Sequence, residues 1–242
     1  MEYLQIGKTT VKYDLQHCDR KKTIELLIDL NKGFTVKVPK GMSDEDIIRN
    51  LHRKEKWIIN NLDKMADIIK YESKKEYLSG EKFAVSGRRY SLKVIKDKTI
   101  KLPTLEFSKG KFIAKIPITI NEKDNHKLLR PLFIHFYQKK AEDVINKRVK
   151  KYLPYFDIEP KKIRIVSLKD KWGSCSKNNE IRYNWRIIMA KMSIIDYVVI
   201  HELAHMKHKD HSKEYWNEIK RIMPDYEKRK SWLRVKGELL RL

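Results

Sequence analysis

Two histidines and a glutamate stand at a spacing that suits metal-dependent hydrolysis. His201, Glu202 and His205 belong to one run, His-Glu-Leu-Ala-His. On a helix, residues four apart share a face, so the two imidazoles would point at a common spot with the carboxylate beside it. This arrangement is typical of a zinc site with a built-in general base.

A catalytic zinc ion needs a third protein ligand and keeps a fourth position for water, whose pKa it lowers to about 7. We predict His211 as this ligand, because the helix can end between Lys207 and Asp210 and a short turn can bring the imidazole back. His208 is the alternative, but a continuous helix would place it beside the pair, whereas tetrahedral coordination needs ligands spread around the ion. Glu202 would then act as general base toward the metal-activated water.

The residues before the motif predict the helix that carries it. Ser193 is the expected N-cap, Asp196 follows three residues later, and an apolar run reaches Ile200. In such an apolar helix, imidazoles and a carboxylate without a metal would be costly to bury unless each found a partner. The setting therefore favours a metal site over ordinary core histidines.

Composition restricts the class of protein. With 242 residues, 41% hydrophobic and 36% charged, the chain is long enough for one sizeable core or two small ones. We expect no membrane span and no signal peptide, and hence a cytoplasmic location. The two cysteines, Cys18 and Cys175, are too few for a disulfide framework and should be reduced. Cys175 is near the site in sequence, but an activated water already supplies the nucleophile.

The formal net charge of +23 is spread along the chain. Residues 1–120 carry 26 basic and 16 acidic side chains, and residues 121–242 carry 29 and 16. Lysines outnumber arginines by 41 to 14, although arginine makes the bidentate phosphate and base contacts. A diffuse lysine surplus is often only a solvated surface, so we expect no dedicated nucleic-acid site. Attraction to acidic or nucleic-acid-associated partners is the alternative interpretation.

Hydrophobic periodicity predicts an α+β fold. Residues 1–120 form a strand-rich N-terminal module with one long helix, which begins at the N-cap Ser43 and runs toward Lys70. A β-hairpin of Thr23–Ile28 and Phe34–Val38 precedes that helix. We find no internal repeat in the sequence.

Residues 121–242 form the predicted catalytic domain. A long helix over 121–153 is followed by two strands and then by the metal-binding helix. Ser212 should cap the next helix, and a last helix should begin at Pro224.

The strand around Tyr183–Ile187 is predicted to offer its backbone edge to an extended peptide, which favours peptide-bond hydrolysis. An electrophilic partner for the tetrahedral intermediate is also needed. Tyr183, Asn184, Tyr215 and Tyr226 are all candidates for this role, and the sequence does not choose among them.

Several short segments of the sequence together match a known family. These segments are Trp172–Ser176, Ile181–Trp185, His201–His205, His211–Ser212, Tyr215–Trp216, Pro224–Tyr226 and Trp232–Leu233. Through them the chain resembles the YgjP-like metallopeptidases, zincin-fold proteins related to the SprT-like proteases. The resemblance implies a zincin-like metallopeptidase domain with zinc bound by His201, His205 and His211 and catalysis by Glu202. Lys171 stands where such proteins tend to have arginine, and Tyr215 where phenylalanine is frequent.

The predicted function is therefore zinc-dependent hydrolysis of a polypeptide substrate. One alternative is a zinc-dependent nucleotide phosphoanhydride hydrolase, in which lysines would hold the phosphates, although the chain has no Gly-rich phosphate loop. Another is a nucleic-acid or nucleoprotein-associated protein with an accessory metal site. The SprT-like proteases act on proteins attached to DNA, but this sequence shows no separate DNA-binding module. The sequence does not predict the oligomeric state.

Overall fold

A computed structural model describes residues 2–7, 9–19, 23–29, 33–71 and 75–242. The chain divides into two compact units, Met1–Ser73 and Lys74–Leu242. The domain boundary predicted at residue 120 lies inside the second unit. The sheet before that residue shares a core with the helix after it, and the ring of Phe83 stacks on that of Phe133 at 4.2 Å between centroids.

The first unit contains a four-stranded sheet in the order β1-β2-β4-β3, in which β2 and β4 are parallel and the other pairs antiparallel. The predicted hairpin is the β3-β4 pair, and Ser43 accepts a hydrogen bond from the backbone N–H of Asp46 as a helix N-cap, as predicted. The predicted long helix is two helices. The elements are β1 (Glu2–Ile6), β2 (Thr9–Cys18), β3 (Glu25–Asp29), β4 (Gly33–Pro39), α1 (Asp44–His52) and α2 (Glu55–Tyr71).

The second unit opens with a sheet of the same topology, in the order β5-β6-β8-β7. In both sheets the second strand has ten residues, pairs through its first half with the preceding strand, and pairs through its second half with the fourth strand. The sequence did not predict this repeat, because strand order cannot be read from residue types. The strands are β5 (Lys82–Val85), β6 (Arg88–Asp97), β7 (Thr104–Ser108) and β8 (Lys111–Pro117).

The rest of the second unit is a helical layer with a three-stranded sheet in the order β10-β11-β9. The predicted α+β class is confirmed. Within the described residues, no helix is long and apolar enough to span a membrane. The elements are α3 (Asn125–Tyr152), β9 (Lys162–Val166), β10 (Gly173–Cys175), β11 (Glu180–Asn184), a 3₁₀ helix (Trp185–Met189), α4 (Met192–Lys207), α5 (Lys213–Ile222) and α6 (Tyr226–Lys236).

Helix α4 lies at the centre of this unit and is buried along most of its length. It packs against α3, α5, α6 and β10. Such all-round burial explains why its sequence is apolar outside the motif. Every polar side chain on α4 must therefore find a partner or face a cavity.

The start of α4 differs from the prediction. The helix begins at Met192, with Lys191 rather than Ser193 in the N-cap position. Asp196 does not cap the helix, because its carboxylate forms a two-pronged ion pair with Arg148 of α3, with 2.7 Å between Nη2 and Oδ2. This largely buried pair fixes α4 to α3 near the metal-binding motif.

We expect Arg148→Met to lower the free energy of unfolding by about 2 to 3 kcal/mol, because it leaves the Asp196 carboxylate buried without a partner. The matched control is Lys147→Met, which removes an exposed pair with Asp143 on the same helix. That control should change the free energy of unfolding far less, because water screens an exposed pair. Urea denaturation measures both, and equal losses would contradict a special role for the buried pair.

Candidate metal centre

Three imidazoles meet at the end of α4. The helix stops at Lys207, and His208 takes an extended backbone conformation (φ −119°, ψ 108°). Ser212 caps α5, as predicted, by accepting from the backbone N–H of Tyr215. The turn between the helices returns His211 to α4, where its Nε2 lies 3.5 Å from Nε2 of His201. One ring nitrogen from each of His201, His205 and His211 lies within 4.8 Å of the others.

These nitrogens have the spacing of metal ligands. Two nitrogens bound to a tetrahedral zinc ion at 2.0–2.1 Å are about 3.4 Å apart, close to the distance between His201 and His211. The Nδ1 atom of His205 lies 2.9 Å from the backbone carbonyl oxygen of His208. A carbonyl only accepts, so this Nδ1 carries the hydrogen and Nε2 keeps its lone pair. The alternative ligand His208 thus contributes its backbone to the position of His205.

Tyr215 of α5 fixes the ring of His201. Its hydroxyl lies 2.7 Å from Nδ1 and 3.1 Å from the carbonyl oxygen of the same histidine. Because the single hydroxyl hydrogen goes to the carbonyl, the hydroxyl accepts from Nδ1–H and leaves Nε2 of His201 unprotonated. The buried ring of Tyr215 also stacks on His205, with centroids 4.5 Å apart.

The environment keeps these imidazoles neutral, which is the form that binds a metal. Burial, followed by the proximity of His205 and His211, lowers the pKa of His201 to about 3. Burial also lowers the pKa of His205 and of the more exposed His211. The donor set, its spacing and its protonation therefore all fit a divalent ion such as zinc.

Glu202 is only 4% exposed, and its Oε2 has no hydrogen-bond partner within the described part of the chain. Burial raises its pKa to about 8, although the charge of Lys171 acts in the opposite direction. Strand β10 packs directly on this carboxylate: a Cβ atom at Gly173 would lie 2.5 Å from Oε1 of Glu202. A glycine is therefore required at this position.

A cavity of about 460 Å³ adjoins the three histidines and Glu202. Strand β10 forms one wall and residues of α6 another. Cys175 lies on the β10 wall, where burial raises the pKa of its thiol despite the opposing charge of Lys209. A thiol held in its neutral form agrees with the expectation that Cys175 is not the nucleophile.

The prediction that the strand around Tyr183–Ile187 offers a free edge to a peptide is wrong. Strand β11 lies between β10 and β9, so both of its edges are already paired, and the predicted segment Tyr183–Ile187 runs on into the 3₁₀ helix. The edge strand that lines the cavity is β10. Its short Gly173–Cys175 segment lacks the alternation by which strands are predicted, and the close approach of Gly173 to Glu202 was not visible in the sequence.

None of the four predicted electrophilic partners lines the cavity. The hydroxyl of Tyr183 bonds to the carbonyl of Val199, and the amide of Asn184 donates to two backbone carbonyls. The hydroxyl of Tyr215 is hydrogen-bonded to Nδ1 of His201, and the ring of Tyr226 stacks on that of Trp216.

The tyrosine in the cavity wall is Tyr197, whose ring centroid lies 5.7 Å from that of His201. This tyrosine was not among the four predicted candidates. Its position four residues before His201, on the same face of α4, was the available signal.

Histidines on a buried helix, a third histidine after a turn and a buried carboxylate around one cavity define the centre of a metal-dependent hydrolase. The chain belongs to the YgjP-like metallopeptidase family, whose metallopeptidase-domain model matches residues 22–236. It is thus a metallopeptidase.

Two solved structures of archaeal metallopeptidase zymogens are similar over part of the chain. Abylysin of Pyrococcus abyssi is 28% identical, covers 42% of this chain and 96% of its own, and has a TM-score of 0.34. Jannalysin of Methanocaldococcus jannaschii is 24% identical, covers 41% and 96%, and has a TM-score of 0.33. No curated protein matches the chain.

The raised pKa of Glu202 makes the stability of the metal-free protein depend on pH. Since the folded state favours the protonated carboxyl, the stabilisation is complete below pH 4.5 and is lost as the pH rises to about 8. With a chelator present, the free energy of unfolding of Glu202→Gln should rise relative to that of the wild type as the pH increases. The expected rise is up to about 1.4 kcal/mol per pH unit across this window. Denaturant titrations at several pH values measure this difference. A difference that does not change with pH would contradict the burial argument.

If the three histidines bind a divalent ion such as zinc, Tyr215→Phe should weaken that binding by about tenfold, because Nδ1 of His201 loses the hydroxyl that orients it. Competition with a chromophoric chelator measures the affinity. The control is Tyr226→Phe, which removes a hydroxyl that contacts Glu227 rather than a histidine. If both variants bind zinc as the wild type does, Tyr215 does not position the ligand.

Proposed function

We propose that the protein is a zinc peptidase in which His201, His205 and His211 bind the metal and Glu202 is the general base. The observation that carries this proposal is the convergence of three ring nitrogens beside a buried carboxylate with an unpartnered oxygen. Zinc suits three imidazole ligands with a fourth position left open. When bound, it would supply a Lewis acid that acidifies water and polarises a carbonyl.

Glu202 would take a proton from the attacking water and deliver it to the leaving amine. Burial makes this carboxylate a stronger base than an exposed one, since its pKa is raised toward neutral pH. The backbone of Gly173 packs closely against the Glu202 side chain and limits its movement on that side. The base therefore needs little reorganisation when the substrate arrives.

Strand β10 would align the substrate. Its outer backbone edge has no neighbouring strand among the described residues and lies on the cavity wall beside Glu202. An extended peptide can add to such an edge through main-chain hydrogen bonds, which leaves side-chain preference to the surrounding pockets. This geometry supports a polypeptide substrate.

Tyr197 is our candidate for the electrophilic partner, because it is the tyrosine that lines the cavity. A hydroxyl donor aimed at the developing oxyanion typically contributes about 10²- to 10³-fold to kcat.

Membership of the metallopeptidase family favours peptide-bond hydrolysis over the hydrolysis of a nucleotide phosphoanhydride.

The decisive test compares purified wild type with Glu202→Gln for zinc content and for digestion of a denatured protein. We expect both to hold about one zinc per chain and the variant to lose at least about 10²-fold in kcat. Glu214→Gln, at an exposed position in the first turn of α5, is the control and should digest normally. Equal digestion by wild type and Glu202→Gln would refute the proposed role.

The ligand assignment has its own matched pair of variants. His211→Ala should lose stoichiometric zinc, because the remaining two ligands hold the metal loosely. His208→Ala should keep it, since His208 supports His205 through a backbone carbonyl that the substitution retains. Metal analysis after gel filtration tests this, and the reverse pattern would make His208 the third ligand.

A further inference from the structure

The cavity beside the metal centre has a strongly cationic wall. Four basic residues line it: Lys171, Lys209, Lys230 and Arg234. The one acidic residue among the described lining is Glu202, which is buried beside the histidines. None of the four cations forms a salt bridge with an acidic residue in the part of the chain that the structure describes. The positive charge of the cavity is therefore not cancelled by its own walls.

Helix α6 concentrates this charge next to the metal centre. Lys230 and Arg234 are four residues apart, so they share one face, and like charges at this spacing repel each other. The neighbouring Arg229, by contrast, is neutralised by Asp225 at 2.6 Å. On α6, the pair that lines the cavity thus has no acidic partner among the described residues, whereas the cation beside it is paired.

Lys230 is held close to a metal-site histidine. Its Nζ lies 3.7 Å from the centroid of the Trp216 ring, and that ring stacks on His211 with 5.5 Å between centroids. The cation is therefore placed one aromatic ring away from the third histidine. Arg234 extends the positive face by one helical turn along the same wall.

Lys209 adds charge from another side without being neutralised. Its ammonium donates to the backbone carbonyl of Ser176 at 3.1 Å, to the side-chain amide oxygen of Asn179 and to the sulfur of Cys175 at 3.8 Å. None of these acceptors is a carboxylate, so the lysine is fixed in position without an acidic partner. The cavity thus carries a preformed positive potential around the metal centre.

We propose that Lys230 and Arg234 form a carboxylate-binding subsite, so that the enzyme selects polypeptides with an acidic group close to the scissile bond. This inference rests on the proposed peptidase function. An arginine fork and a lysine ammonium are the groups that bind a carboxylate most strongly, by charge-assisted hydrogen bonds. A cationic substrate residue in the same place would be repelled, which adds discrimination.

The test uses zinc-loaded full-length enzyme and fluorogenic peptides of one sequence, amidated at the C-terminus, that carry Glu, Gln or Lys at each position flanking the cleaved bond. We expect kcat/KM to be about tenfold higher for the Glu peptide at one flanking position. The preference should shrink as NaCl is raised, because the subsite is open to solvent. A second arm uses the Gln peptide with a free C-terminal carboxylate, which distinguishes a chain-end carboxylate from a side chain.

Charge reversal assigns the residues. We compare two variants: Arg234→Glu alone, at an exposed position, and the double variant Lys230→Glu with Arg234→Glu. Each should abolish the preference for Glu or turn it into a preference for Lys. Lys228→Glu is the control, since Lys228 is on α6 but does not line the cavity. It should keep the preference of the wild type. Thermal melting of each variant establishes that it is folded.

The outcomes separate the two proposals. Equal rates for Glu, Gln and free-carboxylate peptides, or a preference that survives the double reversal, would overturn the subsite while cleavage itself stands. A preference confined to the free C-terminal carboxylate, lost on reversal, supports the subsite and assigns the chain end as its ligand. Absence of cleavage of every peptide and of denatured protein by the zinc-loaded enzyme would instead refute the peptidase proposal.

Discussion

The burial of helix α4 is the constraint on which the site depends. An apolar helix packed on nearly every side leaves its polar groups little choice of partner. His201 and His205 meet this constraint by giving one ring nitrogen each to Tyr215 and to the backbone of His208, which turns the other nitrogen toward the cavity. Glu202 does not meet it, since its buried Oε2 has no partner among the described residues. The same packing that stabilises the fold thus brings together the three imidazoles and the carboxylate to which we assign metal binding and general-base catalysis.

The surrounding elements each serve this arrangement. Helix α3 anchors α4 through Arg148 and Asp196, and α5 supplies both the capped turn that returns His211 and the tyrosine behind His201. Strand β10 closes over Glu202 at a distance that only glycine allows. Helix α6 contributes Lys230, Leu233 and Arg234 to the cavity wall. A reactive centre assembled from so many elements is rigid, which is the condition for efficient electrostatic catalysis.

What could be predicted from the sequence depended on local spacing. The histidine pair on one helical face and the cap at Ser212 follow from short-range rules, and the structure places His211 where the turn argument expected it. The free edge of β10 depends on strand order, which is a long-range property that periodicity does not carry. The roles of the tyrosines depend on where each hydroxyl points. That direction is set by packing between helices, so four candidates were named and a fifth, Tyr197, lines the cavity.

Zinc K-edge X-ray absorption of the zinc-loaded wild-type protein is the most direct test of the central claim. The account predicts three nitrogen scatterers of imidazole type at 2.0–2.1 Å and one light oxygen scatterer in the first shell. A sulfur scatterer at about 2.3 Å, which would bring in Cys175, or a shell with only two imidazoles would contradict it.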